Sequence, residues 1–137
     1  MTEDTKMNNK DKRVTFGQFL QDRRKELKIS MRKFADIAGM HLSYLSVIEY
    51  GTKPPPENEM LDNLIKALQL SKEGERRAYD LAAKERGKYA IAQDATNYIR
   101  ENPYLVQVLR IAEDAEAGKK EWERFVEEME ARKKNKQ

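Results

Sequence analysis

The sequence has no cysteine and a single histidine, His41. The first absence excludes a disulfide framework and any thiolate metal site, and one imidazole cannot hold a metal unaided. No metal or other cofactor is expected, and a chain without disulfides suits the reducing cytoplasm. Long apolar runs are missing too. Nothing approaches the roughly 18 consecutive apolar residues of a membrane span, and residues 1–12 are polar throughout, without the apolar centre of a signal peptide. The expectation is a chain neither exported nor embedded, with no membrane partner. Strand-type alternation, internal repeats and a phosphate-cradling glycine loop are also absent.

What is present is helical and charged. Apolar residues make up 39% of the 137 positions and charged residues 37%, lean for a core but too apolar for wholesale disorder. A chain of this length holds one compact domain, or two small ones of which the lesser needs help to bury its apolar surface. Net charge is +3, and its placement says more than its size. From Arg13 to Lys53 there are eight basic residues (Arg13, Arg23, Arg24, Lys25, Lys28, Arg32, Lys33, Lys53) against four acidic ones (Asp22, Glu26, Asp36, Glu49), a surplus of +4. The rest of the chain is close to neutral. Such a surplus suits a polyanion, although a charge run alone is more often a solvated face.

Periodicity divides the chain into segments. Residues 1–12 read as a flexible arm. Phe16, Phe19, Leu20 and Leu27 then recur on one helical face. Ser30 is placed to cap a second helix over 31–38, because its hydroxyl can accept from the unpaired amides of a first turn. Gly39 supplies the positive φ of a tight exit. A third helix is expected over 42–50, with Leu45 and Ile48 inward and Gly51 as its stop. Pro54, Pro55 and Pro56 lack amide donors and form a stiff loop. Leu61, Leu64, Ile65 and Leu68 mark a fourth helix, and Ser71 caps a fifth to about Arg86. Residues 86–88 make the best internal boundary. Beyond it Ile91, Ala95, Tyr98 and Ile99 share a face. Asn102 is placed to cap the next helix, with Pro103 in its first position. That helix carries Leu105, Val108, Leu109 and Ala112 and stops at Gly118. Last, Trp122, Phe125, Val126 and Met129 stand at i, i+3, i+4 and i+7 on an otherwise charged helix.

The stretch from Ser30 to Gly51 has the anatomy of two helices crossing steeply. It needs a small residue at the crossing (Ala35), a glycine in the turn (Gly39), and apolar plugs from both helices (Phe34, Ala38, Met40, Leu45, Ile48). This stretch resembles the Cro/lambda-repressor type of helix-turn-helix, often called the XRE family, and the resemblance extends from about Phe16 to Leu70. It implies a DNA-binding domain of five helices over residues 13–86, followed here by a three-helix region over 89–134, in an all-α protein. It further implies a pair between Arg24 and Glu49 that ties the first helix to the end of the third, and a base-reading face at His41, Leu42, Ser43, Ser46 and Val47.

That face departs from the common pattern. It has no Arg, Lys, Asn or Gln, so the bidentate pairs that read guanine or adenine are missing, while Leu42 and Val47 can pack on thymine methyl groups and the two serines offer single hydrogen bonds. Met31 stands where many relatives carry a phosphate-binding glutamine. Affinity must then come from the DNA backbone, with Arg13, Arg32, Lys33, Tyr44 and Lys53 as phosphate-binding candidates. His41 reads as a helix-start residue rather than a proton switch. No catalytic constellation is visible, since Glu127, Glu128 and Glu130 lie on a charged helix where a solvated face is the default, and an enzyme is not expected.

The function implied is sequence-specific regulation of transcription, most often repression, by a homodimer on double-stranded DNA. The stripe of Trp122, Phe125, Val126 and Met129 is the dimerisation candidate, the rival being that it folds back onto Tyr98, Ile99, Leu105 and Leu109 of its own chain. A second reading is an antitoxin or adaptor whose helix-turn-helix holds a protein partner, favoured by the apolar character of Leu42, Tyr44, Val47 and Tyr50. Resemblance alone adds a further partner, since short repressors with such a tail can be encoded beside a metallopeptidase that cuts it. No residue here identifies a cleavage site.

Overall fold

The computed structural model describes residues 14–136, so the arm at 1–12 and Arg13 lie outside the described residues. Among the described residues every regular element is a helix: α1 (Phe16–Glu26), α2 (Met31–Ala38), α3 (Leu42–Glu49), α4 (Asn58–Ala67), α5 (Lys72–Arg86), α6 (Gln93–Glu101), α7 (Tyr104–Asp114) and α8 (Lys119–Lys136). The fold is all-α, and no described helix is long and apolar enough to cross a membrane.

Local chemistry sets the helix ends. Ser30 accepts from the Lys33 amide at 3.1 Å and Ser71 from the Gly74 amide at 3.1 Å, each in extended backbone. Thr15 does the same for α1, accepting from the Gln18 amide at 3.0 Å, a cap that periodicity did not announce. Each such cap contributes about 1 kcal/mol. Gly39 turns left-handed at φ 71°, while the Met40 amide reaches Ala35 O at 3.0 Å and the Gly39 amide reaches Asp36 O at 3.2 Å. Gly51, at φ 79°, closes α3 in the same way, with the Thr52 amide on Val47 O at 2.9 Å and its own amide on Ile48 O at 3.1 Å. Both are Schellman closures, which satisfy the last carbonyls of a helix and fix the exit direction.

Helices α1 to α5 enclose one core. Phe16, Leu20, Phe34, Leu45, Ile48, Leu64, Ile65 and Leu68 are fully buried there, with Ala35 and Ala38 between them. The triple proline joins the core wall rather than merely spanning it: Pro54 is exposed, but Pro55 and Pro56 are buried. Helix α5 ends at Arg86, yet the compact unit runs on to Asn97, inside α6. Asp62 is the reason. Its Oδ1 accepts from Tyr79 Oη at 2.6 Å, Gln93 Nε2 at 2.9 Å and Asn97 Nδ2 at 2.9 Å. Gln93 also brackets Asn58, accepting from its amide at 2.8 Å and donating to its carbonyl at 2.7 Å. Asn58 sits at φ 57°, a left-handed conformation that Asn tolerates better than most side chains.

The second unit spans Tyr98–Gln137. Two expectations are corrected here. The side chain of Asn102 does not cap α7; it donates to Tyr98 O at 2.9 Å and so finishes α6, leaving Pro103 as the N-cap of α7. Nor does Gly118 stop α7. Glu116 takes the left-handed position at φ 56°, and the Ala117 amide closes on Ala112 O at 2.9 Å. Gly118 instead opens α8, its amide donating to Glu121 Oε1 at 2.6 Å. No residue of α7 or α8 is fully buried.

Candidate nucleic-acid interface

Helix α3 is held from behind by an ion pair. Arg24 of α1 donates from Nε to Glu49 Oε2 at 2.7 Å and from Nη2 to Glu49 Oε1 at 3.0 Å, and its Nη1 reaches Ile29 O at 3.0 Å. The Glu49 side chain is wholly inaccessible, so the fork-to-fork geometry leaves none of its charge to solvent. The hydrogen bonds to Glu49 raise the Arg24 pKa above its ordinary value against the opposing effect of burial. The pairing expected from resemblance is thus present, and both residues are scaffold.

A second contact sets how closely α1 approaches the end of α3. Gly17 is buried, and a β-carbon there would lie 2.5 Å from Ile48 O and 2.7 Å from Glu49 O. Only glycine permits that approach of backbone to backbone. Gly17 escaped the sequence reading because a glycine one residue into an apolar helical face carries no periodic signal.

With Leu45, Ile48 and Glu49 turned inward, the outward positions of α3 fall at Ser43, Ser46, Val47 and Tyr50. Ser43 and Tyr50 are exposed, Ser46 and Val47 half-buried. His41 is exposed at the N-cap of α3 and makes no capping hydrogen bond through its ring. Leu42 and Tyr44 are also half-buried, but both pack against the core, so less of each is offered outward. Met31 packs against the core as well. The outward face therefore carries no carboxylate and no cation.

Exposed cations stand on the neighbouring segments of the chain instead. Arg32 and Lys33 are exposed in the first turn of α2, and Lys53 is exposed just past α3, its amide on Val47 O at 3.3 Å. The wider basic surplus is partly structural. Arg23 donates to Leu68 O at 2.9 Å and Gln69 O at 2.8 Å, completing the C-terminus of α4, where a cation also complements the helix dipole. Arg24 is buried with Glu49. Lys25, Lys28, Arg32, Lys33 and Lys53 remain exposed.

Residues 20–74, from the middle of α1 to the first turn of α5, match a family model described as helix-turn-helix. No curated protein and no solved structure matches the chain. The matched segment belongs to the helix-turn-helix family of the XRE, Cro/C1 type. A domain of that type makes this chain a DNA-binding regulator of transcription.

Proposed function

We propose that this protein is a repressor that binds a short operator in the cytoplasm as a homodimer, with α3 in the major groove. One observation carries the reading. The outward face of α3 is free of negative charge because its glutamate is buried against Arg24, while Arg32 and Lys33 stand exposed in the first turn of α2 and Lys53 just past α3. A polyanion meets no repelling carboxylate from this face, and these cations are the groups that release counterions from phosphates. Ser43, Ser46 and Val47 read bases, with His41 and Leu42 at the helix start; Arg13 and Tyr44 complete the phosphate set.

The dimer is assigned to the tail. Trp122, Phe125 and Val126 remain about half-exposed (41%, 51% and 51%), as does Leu109 at 47%, which leaves apolar surface on the stripe for a second copy to cover. From Tyr98 onward basic and acidic residues are equal in number, nine each, so two copies of the tail meet without net repulsion.

Gel shifts on the DNA upstream of the protein's own gene, followed by selection from a random duplex library, test the reading. A discrete shifted species, a recovered half-site repeat and loss of reporter expression are expected. Failure to shift any duplex at low salt discards it. The protein-partner alternative, an antitoxin or adaptor, rests on the exposure of Tyr50 (74%) and Ile37 (49%), and that failed shift would favour it.

A further inference from the structure

We infer that the recognition helix distinguishes DNA sequences through the C5-methyl groups of the major groove, so that thymine and 5-methylcytosine are read alike at one step of each half-site. The inference rests on the DNA-binding reading above and adds the chemical feature that is recognised.

The outward side chains of α3 set its terms. Ser43 and Ser46 carry one hydroxyl each, Val47 an isopropyl group, and Tyr50 lies just past the helix end. None presents the paired donor and acceptor of an amide or the fork of a guanidinium, which are what separate guanine and adenine from the other bases at the major-groove edge. Of the arginines on α1, Arg23 is committed to the carbonyls at the end of α4 and Arg24 to Glu49, while Arg32 is exposed on α2 and is assigned to phosphate in the reading above. A serine hydroxyl both donates and accepts and can rotate, so by itself it pairs with several base edges and discriminates poorly.

The apolar side chain is more selective. Val47 lies between Ser43 and Tyr50 on the outward face, one helical turn from Ser43, and is half-buried. A β-branched side chain is stiff at χ1, and the methyl surface it offers is therefore placed rather than searching. Thymine alone among the four standard bases offers a methyl group in the major groove. 5-Methylcytosine carries the same methyl at the same ring position, so a contact made by area rather than by hydrogen bonding does not tell the two apart. Removing one buried methyl-sized group from such a contact is expected to weaken binding about fourfold.

The test uses the full chain and the preferred duplex recovered by selection. Each thymine is replaced in turn by deoxyuridine, which deletes only the methyl, and binding is measured at fixed salt. A loss of about fourfold at one step in each half-site is expected, with no change elsewhere. Putting 5-methylcytosine opposite guanine at that step should bind better than unmethylated cytosine by a similar factor. Val47→Ala should bind the thymine and deoxyuridine duplexes equally, which ties the methyl to this side chain. A duplex uniformly substituted with deoxyuridine that binds as tightly as the original overturns the inference while leaving DNA binding intact. Absence of any preferred duplex overturns it together with the reading beneath it.

Discussion

The guanidinium of Arg24 spans both carboxylate oxygens of Glu49 at 2.7 and 3.0 Å, in a site where the glutamate has no solvent contact. Desolvating two charges costs nearly as much as their attraction returns, so the pair is better understood as fixing position than as adding stability. What it fixes is α1 against the last turn of α3, and hence the aim of the outward face. Removing one partner strands the other in a dry site. Glu49→Ala should therefore lose about 3 to 5 kcal/mol of unfolding free energy. Replacing both residues together, Arg24→Met with Glu49→Leu, should recover most of it, and urea denaturation of the three chains checks this.

Much of this domain was legible in the sequence because its signals are local. Ser30, Gly39, Ser71 and the stripe of Leu61, Leu64, Ile65 and Leu68 act within a few residues of themselves, and the structure places them as periodicity and capping chemistry require. The matched segment also bears out the helix-turn-helix resemblance. What escaped is what depends on distant partners. Arg23 looks like a solvated cation until α4 ends beside it, and Asp62 looks like a surface carboxylate until Tyr79, Gln93 and Asn97 converge on it. Asn102 and Gly118 differ for another reason. Each stands between two helices, and composition does not say which of the two it completes.

Gly17→Ala tests the close approach of α1 to α3. The added methyl meets backbone oxygens, which cannot swing aside as a flexible side chain can, so the helices must part. A loss of about 1 to 3 kcal/mol is expected, with weaker DNA binding beyond what the unfolded fraction explains. Thermal unfolding and gel shifts well below the transition midpoint separate the two effects.

Tyr79 links stability to high pH. Burial, and then its 2.6 Å bond to Asp62, push the phenol pKa above its ordinary value of 10. The folded chain thus holds this proton more tightly than the unfolded chain, so the contribution is intact below pH 10 and is lost as pH rises through the folded pKa. Tyr79→Phe should cost about 1 kcal/mol at neutral pH, since Asp62 keeps its bonds to Gln93 and Asn97. It should also flatten the decline in stability above pH 10, as denaturant midpoints measured across that range would show.

Arg32 and Lys33 are exposed at the start of α2 and stand as phosphate contacts in the proposed complex. Each phosphate neutralised contributes roughly 0.9 to the slope of log affinity against log salt. Arg32→Ala with Lys33→Ala should reduce that slope by roughly 1.8 and weaken all duplexes alike, leaving the preferred sequence unchanged. An unaltered slope places neither residue on DNA.

The tail makes the last prediction. Trp122 and Phe125 stack edge to face with ring centroids 6.4 Å apart, and together with Val126 they keep about half their surface exposed. Because the other half is already covered, burying what remains is worth about 1 kcal/mol per side chain, below the value for burying one completely. Counted over both copies of the stripe, Met129 included, the gross gain is about 8 kcal/mol, from which the cost of lost translational and rotational freedom is drawn, so other contacts of the tail must add to it. The expected outcome is that the full chain sediments as a dimer at micromolar concentration, whereas Trp122→Ala with Phe125→Ala sediments as a monomer. Helicity should change little, because neither side chain is buried in the single chain. A twofold pair presents two copies of α3 to half-sites about one helical turn of DNA apart. The monomeric variant should then keep its affinity for an isolated half-site and lose its advantage on the paired site. A double variant that remains dimeric and binds paired sites as the parent does would move the dimer contact away from this stripe.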